Sequence, residues 1–152
     1  MSWDCLLPWH SIFVHPEGTI RPCCQHKVRY GDTGFGDTIE SVWSSPPAVE
    51  LRQQFLEKKI PKGCESCRVK EERIGRSMRT LLNEAVKALP TSPAIRDLSV
   101  EAPLDLYHLD VSFSNKCNLK CRFCGPNNSS SWIREAEDLR QKDPQFWSSY
   151  LG

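Results

Sequence analysis

Residues 5–24 read CLLPWHSIFVHPEGTIRPCC. Ile12 and Val14 alternate with Phe13 and His15, the period-2 pattern of a half-buried strand. Pro16-Glu17-Gly18 supplies turn chemistry, and Thr19-Ile20-Arg21 makes a return arm. The stretch 9–24 therefore predicts a β-hairpin. The hairpin brings Cys5 and Cys23 toward the same end.

Outward from the hairpin, residues 30–38 form a Gly/Asp-rich loop, and Thr38–Trp43 holds one or two helical turns. Pro46-Pro47 opens a clearer helix, since proline is tolerated in a first turn. Its Ala48, Leu51 and Phe55 share a face, with Val49 and Leu56 alongside, and Pro61-Lys62-Gly63 ends it. A longer helix is predicted from near Cys67 to Leu89, because Ile74, Met78, Leu81, Leu82, Ala85, Val86 and Leu89 follow the 3.6-residue period. Gly75 inside it costs up to about 1 kcal/mol relative to Ala, which points to close approach by another element. Residues 90–103 carry three prolines and little periodicity, so 90–104 reads as a linker. Residues 109–114 alternate as a strand. A Cys-rich loop spans 115–128. Ser129, Ser130 or Ser131 then caps a helix bearing Trp132, Ile133, Ala136 and Leu139, which Asp143-Pro144 stops. The expected fold class is α+β, with a first domain at 1–89 and a second region at 105–152.

The chain has 152 residues, with 20 Lys+Arg against 19 Asp+Glu. That balance argues against an electrostatic footprint for nucleic acid or an anionic membrane. A complete (β/α) barrel needs about 250 residues, so one does not fit. No apolar run reaches the roughly 18 residues of a membrane span, and Met-Ser-Trp-Asp-Cys at the start has no signal-peptide pattern. The expected address is the cytosol. Eight cysteines stand out. In a reducing compartment, clustered thiols point to metal ligands or reactive groups rather than disulfides.

Cys117, Cys121 and Cys124 make C-x3-C-x2-C on a loop after a strand and before a helix. Three thiolates so close in sequence can hold three irons of a cubane cluster, whose usual protein ligands are cysteines. The fourth iron is left open, and an open coordination position is where substrate chemistry occurs. Upstream, Cys64-Glu-Ser-Cys67 is a C-x2-C knuckle at a helix start, where backbone dipoles favour thiolate. With Cys5 and Cys23 it makes four ligands, enough to close a site completely. A four-cysteine zinc site is the competing reading, although structural zinc more often uses two short knuckles, and Cys5 and Cys23 lie eighteen residues apart.

The downstream trio, with aromatic Phe123 before the last Cys, resembles the signature of the radical S-adenosylmethionine (SAM) superfamily. The resemblance implies a [4Fe–4S] cluster in the loop after the first strand of a partial (β/α) barrel. It implies SAM chelated at the open iron and cleaved reductively to a 5′-deoxyadenosyl radical. Asn127, Asn128 and Ser129 lie where that family's SAM pocket begins, although helix capping accounts for them equally well. The upstream pattern C-x12-G-x4-C, a gap, then C-x2-C resembles the twitch domain, the shortened relative of the SPASM domain. Pro8-Trp9, Cys23-Cys24, Val42-Trp43 and Leu51-Arg52 agree with it. Carried over by position, the ligands of an auxiliary [4Fe–4S] cluster are Cys5, Cys23, Cys64 and Cys67, with Cys24 as an alternative to Cys23. These domains commonly follow the barrel; here the cysteine set comes first.

Together the resemblances imply a twitch-like domain followed by the first βα unit of an incomplete radical SAM barrel. The implied cofactors are two [4Fe–4S] clusters and SAM. The implied partners are an external electron donor and an unidentified substrate, with peptide or protein modification as the analogy. A chain ending at one βα unit is expected to be a fragment or a split subunit, without turnover alone. The alternatives are a structural zinc or cluster module and an electron-transfer module. His10, His15, His26 and His108 read as surface or hairpin polar groups. Trp3, Trp9, Trp43, Trp132 and Trp147 read as packing residues. Arg68, Lys70, Arg73, Arg76 and Arg79 read as a solvated helix face.

Overall fold

The computed structural model describes residues 3–90 and 97–145. They divide into two compact units, 1–112 and 113–152. Trp147 and residues 91–96 of the expected linker lie outside the described residues.

In the first unit a short helix α1 (Leu7–His10) leads into β1 (Ser11–Val14). β1 pairs antiparallel with β2 (Thr19–Arg21), Phe13 opposite Arg21 and Val14 opposite Ile20. The amide of Gly18 donates to the His15 carbonyl at 2.8 Å and closes the predicted turn. The Gly/Asp-rich loop contributes a two-residue strand β3 (Gly31–Asp32), antiparallel to β2. β4 (His108–Val111) pairs parallel with β1. The sheet order is β3-β2-β1-β4. The predicted strand near 109 thus exists, but its partner is the hairpin's first strand, and it belongs to the first compact unit. Alternation can place a strand; it does not name the strand's neighbour.

α2 (Ile39–Trp43) starts on a reciprocal Thr38–Ser41 capping box, and α3 (Pro46–Leu56) opens on the two prolines. The long helix predicted from Cys67 to Leu89 is two helices, α4 (Glu65–Ile74) and α5 (Met78–Lys87). Gly75 has φ 71° and caps the end of α4. Nothing lies within 4 Å of a Cβ built on it, so its role is the left-handed turn and not close approach. Ser77 then restarts the helix through a capping box with Thr80.

Trp9, Ile12, Ile20, Val42, Trp43, Ala48, Leu51 and Phe55 form the core, and Cys5 and Tyr30 are part of it. Trp3 stacks on Phe55 at 5.9 Å between ring centroids. Arg52 is buried over the Trp43 ring, 4.5 Å from its centroid, and its Nε donates to the Pro8 carbonyl at 2.9 Å. The described end of the expected linker packs here too. Trp9 Nε1 donates to the Ser99 carbonyl at 2.7 Å and Trp43 Nε1 to the Ala102 carbonyl at 3.0 Å.

Two expectations about polar residues are corrected. His10 and His26 are each only 2% exposed, not surface groups. Arg79 leaves the solvated face: it forks onto Glu71, donates to the Asp4 carbonyl and lies over Trp3 at 4.7 Å. Burial raises the Glu71 pKa, but the hydrogen bonds from Arg79 and Ser77 outweigh it and hold that carboxyl below its usual range.

The second unit contains the loop 115–128, a 3-10 turn (Ser130–Trp132) and α6 (Ile133–Lys142), close to the predicted helix. No helix among the described residues is long and apolar enough to cross a membrane.

Two predictions follow from this packing. Arg52→Ala removes the ring contact and orphans the Pro8 carbonyl. It should cost about 3 kcal/mol in a urea melt, as breaking a buried charged contact does. Glu71→Gln should cost about 2 kcal/mol near neutral pH. Because the folded carboxyl titrates below its unfolded value, that difference is present above the unfolded pKa and should vanish as pH falls through the folded one. Melts of both chains between pH 7 and pH 3 check the sign.

Candidate metal centre

Cys5, Cys23, Cys64 and Cys67 line one cavity, together with His26 and Arg79. Cys24, the next residue to Cys23, is not among the lining residues. The sequence separation of these cysteines is bridged by three local devices.

The first holds Cys5. Asn83 on α5 is buried and clamps the backbone on both sides of this cysteine. Its Oδ1 accepts from the Leu6 amide and its Nδ2 donates to the Asp4 carbonyl, each at 2.8 Å. The second is the turn after β2, where the His26 amide donates to the Cys23 carbonyl at 3.3 Å and the amides of Gln25 and His26 favour the Cys23 thiolate. The third is the knuckle. Cys64 is the N-cap residue of α4 and Cys67 lies in its first turn, where unpaired amides favour a thiolate. A Cβ on Gly63 would come within 3.2 Å of His26 Nε2, so glycine lets the imidazole lie against the knuckle's backbone.

These thiols are electrostatically dependent on each other. Burial pushes the Cys5 thiol well up, with Cys23 and Cys64 adding to it. Burial pushes Cys23 up to about 11, and burial with the neighbouring Cys23 and Cys67 pushes Cys64 up to about 12. Arg79 acts in the opposite direction on Cys5 and Cys64. Cys5, Cys23 and Cys64 are thus held as neutral thiols, and a cation that replaces their protons turns them into thiolates.

Among the described residues, no three His, Cys, Asp or Glu side chains gather tightly enough to hold a single metal ion. The four sulfurs ring a cavity instead of meeting at a point. The open space there is about 20 Å³, about the room of one water. The donor set, four cysteines with a compensating guanidinium, fits an iron–sulfur cluster.

The downstream trio lies on a loop pinned by serines. Ser131 Oγ donates to the Cys117 carbonyl at 2.6 Å, and Ser130 Oγ accepts from the Cys117 amide at 3.2 Å. Ser129 is buried and its Oγ donates to the Leu119 carbonyl at 2.7 Å. Asn127 and Asn128 are exposed. Cys121 is exposed, while Cys117 and Cys124 are half-buried.

Sequence reading missed Asn83 and His26. Asn83 sits in an apolar helical stripe, where one buried amide leaves no pattern. His26 lies two residues past the Cys23-Cys24 pair, and that proximity was the available signal.

Residues 5–68 match the family model of the SPASM iron-sulfur cluster-binding domain. That segment contains Cys5, Cys23, Cys64 and Cys67. No curated protein and no solved structure matches the chain. The match indicates iron–sulfur cluster binding by this segment.

Proposed function

We propose that the chain is the cluster-bearing part of a radical SAM protein, with an auxiliary [4Fe–4S] cluster held by Cys5, Cys23, Cys64 and Cys67. The observation that carries the reading is the convergence of those four residues on one cavity inside the segment that matches the SPASM model. In the same proposal, Cys117, Cys121 and Cys124 hold three irons of a second cluster. When bound, that cluster supplies the electron for SAM cleavage at its open iron.

The chain's own contribution is positional. Ser130 and Ser131 fix the backbone of Cys117. Ser129 fixes the loop at Leu119, so its hydroxyl is committed to the fold. Asn127 and Asn128 keep exposed side chains that can meet SAM. Phe113, Leu119 and Phe123 leave large apolar surfaces in solvent around the trio, Phe123 entirely so, as expected of a loop that works against a bound group. A peptide or protein substrate and an external electron donor complete the proposal.

Anaerobic reconstitution tests it. The full chain should take up about eight irons, four for each cubane. A chain carrying C117A, C121A and C124A should keep about four and lose any SAM-dependent change in its EPR spectrum. Stoichiometric zinc in colourless, anaerobically purified protein would instead identify a structural zinc module. About four irons without a SAM response in the unsubstituted chain would leave only the auxiliary cluster.

A further inference from the structure

His26 stands out among the polar groups around the upstream cavity. It is 2% exposed and lines the cavity with the four cysteines. Its Nδ1 accepts a hydrogen bond from the Val28 amide at 3.2 Å, while the contact with the Val28 carbonyl is longer, 3.4 Å. With the Val28 amide as the donor, the lone pair is assigned to Nδ1 and the proton of the neutral ring to Nε2. Nε2 is buried with no hydrogen-bond partner among the described residues. A buried N–H without an acceptor loses its hydration with nothing in return, and folded proteins seldom leave one so. The side chains sharing its cavity that can accept are the four cysteine sulfurs and the Gln25 amide, and the sulfurs accept from N–H once they are thiolates or cluster sulfides.

We propose that His26 donates a hydrogen bond from Nε2 to a sulfur of the auxiliary cluster and thereby sets its reduction potential. The proposal rests on cluster occupancy of this cavity. Reduction adds negative charge to the cluster, and a hydrogen bond to sulfur stabilises the more negative state. The backbone bond at Nδ1 holds the ring in orientation, as outer partners orient metal-site histidines. Gly63 gives the ring its place against the knuckle.

The test uses the full chain with C117A, C121A and C124A, so that one cluster is read alone. His26→Phe keeps a flat ring and removes the donor. His26→Gln keeps an N–H at similar reach. Both are reconstituted anaerobically, assayed for iron and sulfide, and titrated with dithionite while EPR follows the one-electron reduction. His26→Phe should lower the reduced-to-oxidised ratio about tenfold at fixed potential, a downward shift of about 59 mV for one electron. His26→Gln should recover most of it. ENDOR of the reduced cluster carrying His26 should show an exchangeable proton coupling that disappears in deuterated buffer and in His26→Phe.

A His26→Phe chain with about four irons, an unchanged potential and an unchanged proton coupling overturns the proposal. If His26→Phe fails to load, 15N-histidine labelling of the chain that retains His26 decides: a 15N coupling to the reduced cluster supports the proposal and its absence overturns it. If that parent chain itself takes up no iron, cluster binding fails, and this inference falls with it.

Discussion

Four thiols packed into one buried space cannot all ionise without a cation among them. Low dielectric penalises each thiolate, and each thiolate penalises the next. In this chain burial is the first cause that pushes the Cys5, Cys23 and Cys64 thiols up, and the neighbouring cysteines push them further. A metal group reverses the balance, because it supplies positive charge where the protein supplies little beyond Arg79. Much of the first compact unit can be read as the machinery that holds these sulfurs near one another before that charge arrives.

The machinery draws on distant parts of the sequence. Asn83 ties α5 to the backbone beside Cys5, and Arg79 from the same helix reaches the Asp4 carbonyl. Glu71 on α4 holds Arg79, which links the knuckle's helix to the segment that carries Cys5. Trp3 lies under Arg79 and against Phe55, so the apolar core and the charged pair share one support. Arg52 plays a similar part deeper in the core, between Trp43 and the Pro8 carbonyl.

Much of this was legible from the residues. Period-2 alternation and a Pro-Glu-Gly turn give the hairpin, and the hairpin gives the meeting of Cys5 with Cys23. The C-x2-C spacing ahead of a periodic segment gives the knuckle at a helix start. Three features were not legible, each for a physical reason. The apolar period starts at Ile74, one residue before Gly75, although Ile74 is exposed, and only the glycine's backbone conformation separates α4 from α5. The parallel pairing of β4 with β1 joins strands almost a hundred residues apart, and nothing local encodes it. Buried Asn83 and His26 and half-buried Arg79 are polar residues held by specific partners, so hydropathy assigns them to the surface.

The downstream loop differs in kind. Its serines fix the backbone and leave Cys121 exposed, as suits a site that must admit a small molecule, whereas Cys5 and Cys67 of the upstream set are buried. Four particular sulfurs form the upstream site, and single Cys→Ser chains, each reconstituted anaerobically and assayed for iron, show which. C5S, C23S, C64S and C67S should each lose about four irons while C24S keeps them. Retention of those irons by C5S, or their loss from C24S with retention in C23S, would contradict that assignment.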